Sequence, residues 1–182
     1  WLWFPDGRLN TCYNAVDRHV ANGRGDVTAI IHDSAMTGTV ARYTYAQLQQ
    51  QTARVAGMFS DAGVSTGDRV VIYMPMIPEA VVAMLACARI GAIHSVVFGG
   101  FAAKELAKRI DDAKPKLVVT ASCALEPRGV VAYKPPIDAA LEQAAHQVPK
   151  VIVYQRPQLA AELIAGRDTD WTTAYASARS VE

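Results

Sequence analysis

Residues 69–101 read RVVIYMPMIPEAVVAMLACARIGAIHSVVFGGF, and this stretch decides the fold. Arg69 to Met74 is a β-branched apolar run of strand length, the pattern of a strand buried on both faces. Pro75 and Pro78 end it. Pro78 suits the first turn of a helix, where a missing N–H costs nothing, and Glu79 favours the positive end of the helix dipole. The helix expected from about Glu79 to Ile90 is apolar nearly all round (Ala80, Val81, Val82, Met84, Leu85, Ala86), so it is buried on most sides. Gly91 stops it, and Ile93 to Phe98 is the next strand. Strand, helix and strand in this order form a βαβ unit with parallel strands.

Working outward, the same alternation continues on both sides. Upstream, Thr28 to His32 is a strand, a loop is expected around Asp33-Ser34 and Thr37-Gly38, and Arg42-Tyr43 is a short returning strand. Thr44 with Gln47 three residues on is a capping box, and its helix runs to about Asp61 with Leu48, Val55 and Phe59 along one side. Ala62-Gly63 stops that helix and Thr66-Gly67-Asp68 makes a turn. Downstream, a helix from about Ala102 to Asp112 carries Glu105 and Arg109 as an i,i+4 pair, and Lys114-Pro115 breaks it. Leu117 to Thr120 is a short buried strand, Cys123 to Pro136 reads as irregular, and Ile137 to His146 is an amphipathic helix. Val151 to Tyr154 is a strand ended by Arg156-Pro157, and Asp170 caps a last helix through Tyr175 to Ala178. Strands and helices alternating in this order predict an α/β fold: an open, mostly parallel sheet with helices on both faces. Ligands on such sheets bind beyond the carboxyl ends of strands. That rule points to Met74-Pro75, Phe98-Gly99-Gly100 and Thr120-Ala121-Ser122.

Composition narrows the function classes. The 182 residues are 51% hydrophobic and 19% charged, enough apolar material for a core and too much for disorder. A formal net charge of +1 gives no electrostatic footprint for nucleic acid. No stretch has the length of a transmembrane helix, so no membrane partner is expected. Cys12, Cys87 and Cys123 are an odd count with wide spacings and no CxxC pair, which fits reduced thiols; Cys87 lies in an apolar helical run and reads as packing. His19, His32, His94 and His146 show no metal-ligand spacing. The chain starts at Trp1 rather than an initiator Met and ends at Arg179-Ser180-Val181-Glu182, so a piece of a longer protein is expected.

Three constellations could carry chemistry. Phe98-Gly99-Gly100-Phe101 lies between a strand and a helix. Its glycines let the backbone approach another group closely, and the following helix offers free N–H groups that could hold a phosphate. A plain tight turn satisfies the same pattern, and neither GxGxxG nor GxxxxGK is present. Arg128, in Glu126-Pro127-Arg128-Gly129, is placed on a loop where it could pair with phosphate bidentately, and Lys134 is near enough in sequence to join it; a solvated charged loop is the other reading. Asp17-Arg18-His19 would fan around a helix axis, which points to a structural ion pair rather than a catalytic dyad. No Ser lies in a GxSxG elbow, so the residues alone define no catalytic constellation.

Longer runs carry a family resemblance. Trp3-Phe4-Pro5-Asp6-Gly7-Arg8-Leu9-Asn10, then Tyr13-Asn14-Ala15-Val16-Asp17-Arg18-His19, then the whole run from Gly67 to Phe101, resemble the short-chain acyl-CoA synthetases of the adenylate-forming superfamily. The resemblance covers nearly the whole chain. Asp111 to Lys116 and Tyr133-Lys134-Pro135 through Ala140 look more like the propionate branch than the acetate branch. It implies the N-terminal part of the large domain of such an enzyme: an N-terminal segment over 1–43 and a first α/β subdomain over 44–182. It also implies a ligase that joins a short-chain carboxylate to coenzyme A through an acyl-adenylate, using ATP and magnesium and releasing AMP and pyrophosphate. Carried over from the family, Phe98, Gly99 and Gly100 line the site of the coenzyme A nucleotide and Arg128 pairs with its phosphate. One position departs: the propionate branch has its Arg directly before the Val-Val pair, where this chain has Gly129. The family's Ser/Thr/Gly-rich ATP phosphate loop, its later adenylate motifs and its C-terminal domain with the acylation lysine do not occur in these 182 residues. The implied chain is therefore a partial domain, inactive alone, that contributes a coenzyme A contact. The alternative is a truncated, non-catalytic coenzyme A-binding or interaction module. A partial domain should expose apolar surface and self-associate. The expected compartment is cytoplasmic, with the mitochondrial matrix as the alternative.

Overall fold

A computed structural model describes residues 5–182; Trp1 to Phe4, including the Trp-Phe pair of the resemblance, lie outside the described residues. Two short helical turns, Tyr13–Asp17 and Val20–Arg24, precede an antiparallel pair, β1 (Thr28–Ser34) and β2 (Thr39–Thr44). Then follow α1 (Tyr45–Asp61), β3 (Arg69–Tyr73), α2 (Pro78–Arg89), β4 (Ile93–Val96), α3 (Ala103–Ala113) and β5 (Leu117–Ala121). The chain closes with β6 (Cys123–Glu126), β7 (Gly129–Ala132), α4 (Lys134–Gln143), β8 (Lys150–Tyr154), β9 (Asp168–Asp170) and α5 (Trp171–Ser177).

The parallel sheet has five strands in the order β4-β3-β5-β8-β9, and every neighbouring pair in it is parallel. Alternation along the strands divides the core in two. Val70, Ile72, Leu117, Val119 and Ile152 pack with α1, α2 and α5, while Val71, Tyr73, Val118, Val151 and Val153 pack with α3 and α4. Helices therefore cover both faces, as the apolar runs require. The capping box forms as expected: the Gln47 N–H donates to Thr44 Oγ1 and the Thr44 N–H to Gln47 Oε1. Pro78 opens α2, and the Asp170 carboxylate accepts from the Thr173 N–H to cap α5.

Several boundaries differ from the expectation. Asp33-Ser34 belongs to β1, and β2 begins at Thr39, so the loop contracts to the four residues between. That hairpin stands apart from the parallel sheet, whose fifth strand is β9, a three-residue edge strand too short and polar to show in the pattern. The segment Cys123 to Pro136 is not irregular: it holds the β6–β7 hairpin and the start of α4. The helix expected at 137–146 begins earlier, because Pro135 and Pro136 fit its first turn. Glu105 pairs with Lys108, not Arg109, which instead lies 5.6 Å over the Phe101 ring.

Candidate functional site

The strand order places a switch point between β3 and β5. From β3 the chain leaves to α2 on one face, and from β5 it leads to α4 on the other, which opens a crevice at the carboxyl edge. A cleft of about 570 Å³ lies there. Its walls are the exit of β3 (Met74 to Ile77), the exit of β4 (Val96 to Gly99), the hairpin residues Ala124 to Glu126, Tyr133, Arg156 after β8, and His32 to Met36 from the β1–β2 hairpin. A second cleft, of about 600 Å³ and lined by Asp17, Arg89 and Glu182 among others, sits near the carboxyl end of α2, at the opposite edge of the sheet. The rule for open parallel sheets favours the first.

The Phe98-Gly99-Gly100 turn forms one rim. The Val97 N–H makes the last bond to the sheet, 2.9 Å from the Ile72 carbonyl, and the Phe101 N–H closes the turn onto the Phe98 carbonyl at 3.2 Å. The Phe98 ring is 74% exposed and meets Phe101 edge-on at 6.1 Å. Neither glycine has a left-handed backbone; close approach to the buried Tyr133 requires Gly99, whereas the neighbour of Gly100 is an exposed ring that can turn aside. A Cβ on Gly99 would run into the Tyr133 hydroxyl, and one on Gly100 would lie 2.7 Å from the Phe98 ring. The Tyr73 hydroxyl donates to the Gly99 carbonyl at 2.9 Å. Burial pushes the Tyr73 hydroxyl up to about 12, so it keeps its proton and remains a donor at neutral pH.

The other sequence-derived residues separate. Arg128 is exposed at the tip of the β6–β7 hairpin, in the two-residue loop Pro127-Arg128 ahead of Gly129 (φ 127°), and does not line the cleft. Lys134 cannot join it. Its side chain is 3% exposed and its ammonium is spent on Asp138 and Asp168, each at 2.7 Å. Arg167 completes this cluster, donating to Asp168 at 2.6 Å and to Asp138. Burial raises the Asp168 carboxyl, but bonds from Arg167 and Lys134 outweigh it and bring the pKa below the ordinary value. Thr120-Ala121-Ser122 is buried and supports the site from beneath: Ser122 Oγ accepts from the Arg156 N–H at 2.8 Å, and the Ser122 carbonyl accepts from the Tyr133 N–H at 3.0 Å.

Arg156 is the cation that lines the cleft, with one guanidinium N–H on the Cys123 carbonyl at 3.2 Å. In the sequence, Arg156-Pro157 marks only a strand end. Knowing that it follows a parallel strand at the carboxyl edge would have nominated it. Asp17 does form an ion pair, with Arg89 at 2.5 Å and not with its neighbours; Gln49 also donates to it. Cys87 is buried in the α2 packing, and burial pushes its thiol up to about 12. Among the described residues no helix is long and apolar enough to cross a membrane.

This geometry defines an α/β protein with an open cleft at the switch point of a parallel sheet. The family described as AMP-binding enzyme matches residues 17–179, and the chain belongs to it. Acyl-CoA and acetyl-coenzyme A synthetases are among the proteins it is similar to. It is 54% identical to the human acyl-CoA synthetase short-chain family member 3, mitochondrial, over 98% of this chain and 26% of that protein. It is 49% identical to the acetyl-coenzyme A synthetase of Streptomyces avermitilis over 93% of this chain and 26% of that protein. An uncharacterized protein of Pseudomonas aeruginosa is 58% identical over 99% of this chain and 29% of its own length. The chain thus spans about a quarter of the length of the curated relatives it matches.

Proposed function

We propose that this chain is the N-terminal part, 1–182, of the large domain of an AMP-forming acid–thiol ligase that converts propionate or acetate to its acyl-CoA. In the first step a carboxylate oxygen attacks the α-phosphorus of ATP, giving the acyl-adenylate and pyrophosphate, with magnesium offsetting the phosphate charge. In the second the coenzyme A thiol attacks the acyl carbon and AMP leaves. The observation that carries the reading is the cleft itself, in an AMP-binding enzyme chain, with the Phe98 ring and the Gly99 backbone open at its rim.

Within that reading this chain's own share is a coenzyme A half-site. Phe98 offers an exposed aromatic face for the adenine, and Gly99 and Gly100 let the main chain lie close to it. Arg128 stands at the hairpin tip, one loop away, where a flexible guanidinium can reach a phosphate at the mouth. The residues fit an aromatic base better than a polyanion, since Asp33 and Glu126 also line the cleft beside Arg156. The compartment of the whole protein is proposed as cytoplasmic; the mitochondrial matrix is the alternative, and the human relative's name includes the word mitochondrial.

The test is direct. Incubated with propionate or acetate, ATP, magnesium and coenzyme A, the chain should release no pyrophosphate, yet bind coenzyme A by calorimetry. Sustained pyrophosphate release would sink the inactive-fragment part of the proposal. Coenzyme A binding without turnover is shared with the alternative, a non-catalytic binding module; fusing the chain to the remaining three quarters of a relative and recovering ligase activity separates them. Met76 (89% exposed), Val96 and Phe98 leave apolar surface open, which supports self-association. Sizing should show concentration-dependent oligomers; a monomer at all concentrations would refute this.

A further inference from the structure

We infer that Tyr73 and Tyr133 are positioning residues that hold the Phe98-Gly99-Gly100 turn in its coenzyme A-binding shape and couple it to the β6–β7 hairpin. This rests on the coenzyme A reading of the cleft.

The turn has little support of its own. Between Val97 and Phe101 its internal bond is the 3.2 Å closure, and its aromatic ring faces solvent. What fixes it lies beneath. Tyr73 is the last residue of β3, a central strand, and its side chain is buried. Its hydroxyl reaches across 26 residues of sequence to the Gly99 carbonyl. The Tyr133 ring packs on it with centroids 4.9 Å apart and an interplanar angle of 33°. The Tyr133 hydroxyl fills the place that a side chain at residue 99 would need, so the ring sets how far the turn can sink toward the sheet.

Tyr133 also belongs to the other rim. It directly follows β7, its N–H is tied to the Ser122 carbonyl at the end of β5, and it forms the N-cap of α4. A shift of the hairpin that carries Arg128 therefore moves the ring on which Gly99 rests. Two tyrosines thus convert two separate loops into one rigid rim. Such pre-organisation saves ordering entropy on binding, and its loss shows as weaker affinity more than as unfolding.

Three variants test this on the whole chain, with coenzyme A as the probe in calorimetry and with amide hydrogen exchange. Tyr73→Phe removes one oxygen and keeps the ring. It should speed exchange over residues 98–101 and weaken coenzyme A about fivefold, the ratio that one ordinary hydrogen bond produces, while the unfolding midpoint moves only a few degrees. Gly99→Ala should also weaken binding, and adding Tyr133→Leu should restore part of the loss, because the ring that the new methyl strikes is gone. A merely structural role would lower stability in each variant with no such recovery. If the wild-type chain binds coenzyme A and Tyr73→Phe binds equally well, the positioning role is overturned while the coenzyme A reading stands. If the wild-type chain does not bind coenzyme A, that reading falls and the positioning role falls with it. Should the Tyr133 variant fail to fold, Tyr73→Phe still decides.

Discussion

Arg128 and Lys134 are six residues apart, both basic, and the sequence offers them as one phosphate-pairing unit; the fold gives them opposite fates. Arg128 sits at a hairpin tip with its charge in water. Lys134 opens α4 and is buried against Asp138 and Asp168, with Arg167 as the second cation of a balanced four-charge cluster. The difference comes from one turn. With Pro127 second and Gly129 fourth in a four-residue turn, the chain reverses and carries Arg128 outward, then returns along β7 to bury Tyr133 and Lys134. A cation that is free is available to a ligand, whereas one that is paired in low dielectric holds the fold together. The contrast teaches that charge count along a loop says little about a binding site until each partner is known.

Breaking the buried half of the contrast should have the largest effect. Lys134→Met leaves Asp138 and Asp168 sharing a single guanidinium, with Asp168 fully buried. Removing one partner of a buried ionic cluster costs about 3 kcal/mol, a fall in unfolding midpoint of roughly 6–12 °C for a chain of this size. A calorimetric midpoint within 2 °C of the wild type, on the order of the smallest resolved cost, would show that the cluster is not holding β9 and α4. Acid should act on Asp168 of this cluster, and on Asp68 elsewhere, by a second route. The Asp168 carboxyl is held below its ordinary value, and bonds from Ser65 and Lys116 bring Asp68 down to about 2. A carboxyl depressed in the folded state adds stability above its unfolded pKa, and that share is lost as pH falls through the folded value. The midpoint should therefore hold from pH 7 to about 4 and drop between about 4 and 2. Lys134→Met should flatten this drop, since part of the acid-sensitive share is already gone.

How far such things could be read from the sequence follows from the same physics. The β3–α2–β4 unit was legible because its residues are buried on nearly every side, so pattern and environment agree. The Thr44 capping box and the Asp170 cap were legible because they are local bonds. The β6–β7 hairpin was hard to read although Glu126-Pro127-Arg128-Gly129 carries a turn signature, because each flanking strand is only four residues long and neither alternates cleanly. β9 was missed because Asp-Thr-Asp has no apolar alternation at all: it is seen only through its pairing with β8 and the contact between residues 134 and 168, both tertiary. At the site, the Gly99-Gly100 pair stood out, but the reason for a glycine at 99 did not. Close packing against Tyr133, 34 residues away, is a tertiary fact that no local pattern contains.

The exposed half of the contrast gives the smallest effect and the sharpest reading of the site. Arg128→Ala should leave stability unchanged within about 0.5 kcal/mol, as surface substitutions do. Its effect on coenzyme A binding is bounded by the worth of an exposed ion pair, at most about 1 kcal/mol or fivefold, and should fade as salt is raised. Arg156→Gln, which alters the cation inside the cleft, supplies the comparison. A salt-sensitive loss for Arg128→Ala would place phosphate at the hairpin tip, in keeping with the Arg–phosphate pairing that the family resemblance implies. No loss for Arg128→Ala and a clear loss for Arg156→Gln would move the phosphate contact inward. Position 128 would then be an ordinary solvated loop residue, with the hairpin contributing only Tyr133, the ring under the turn.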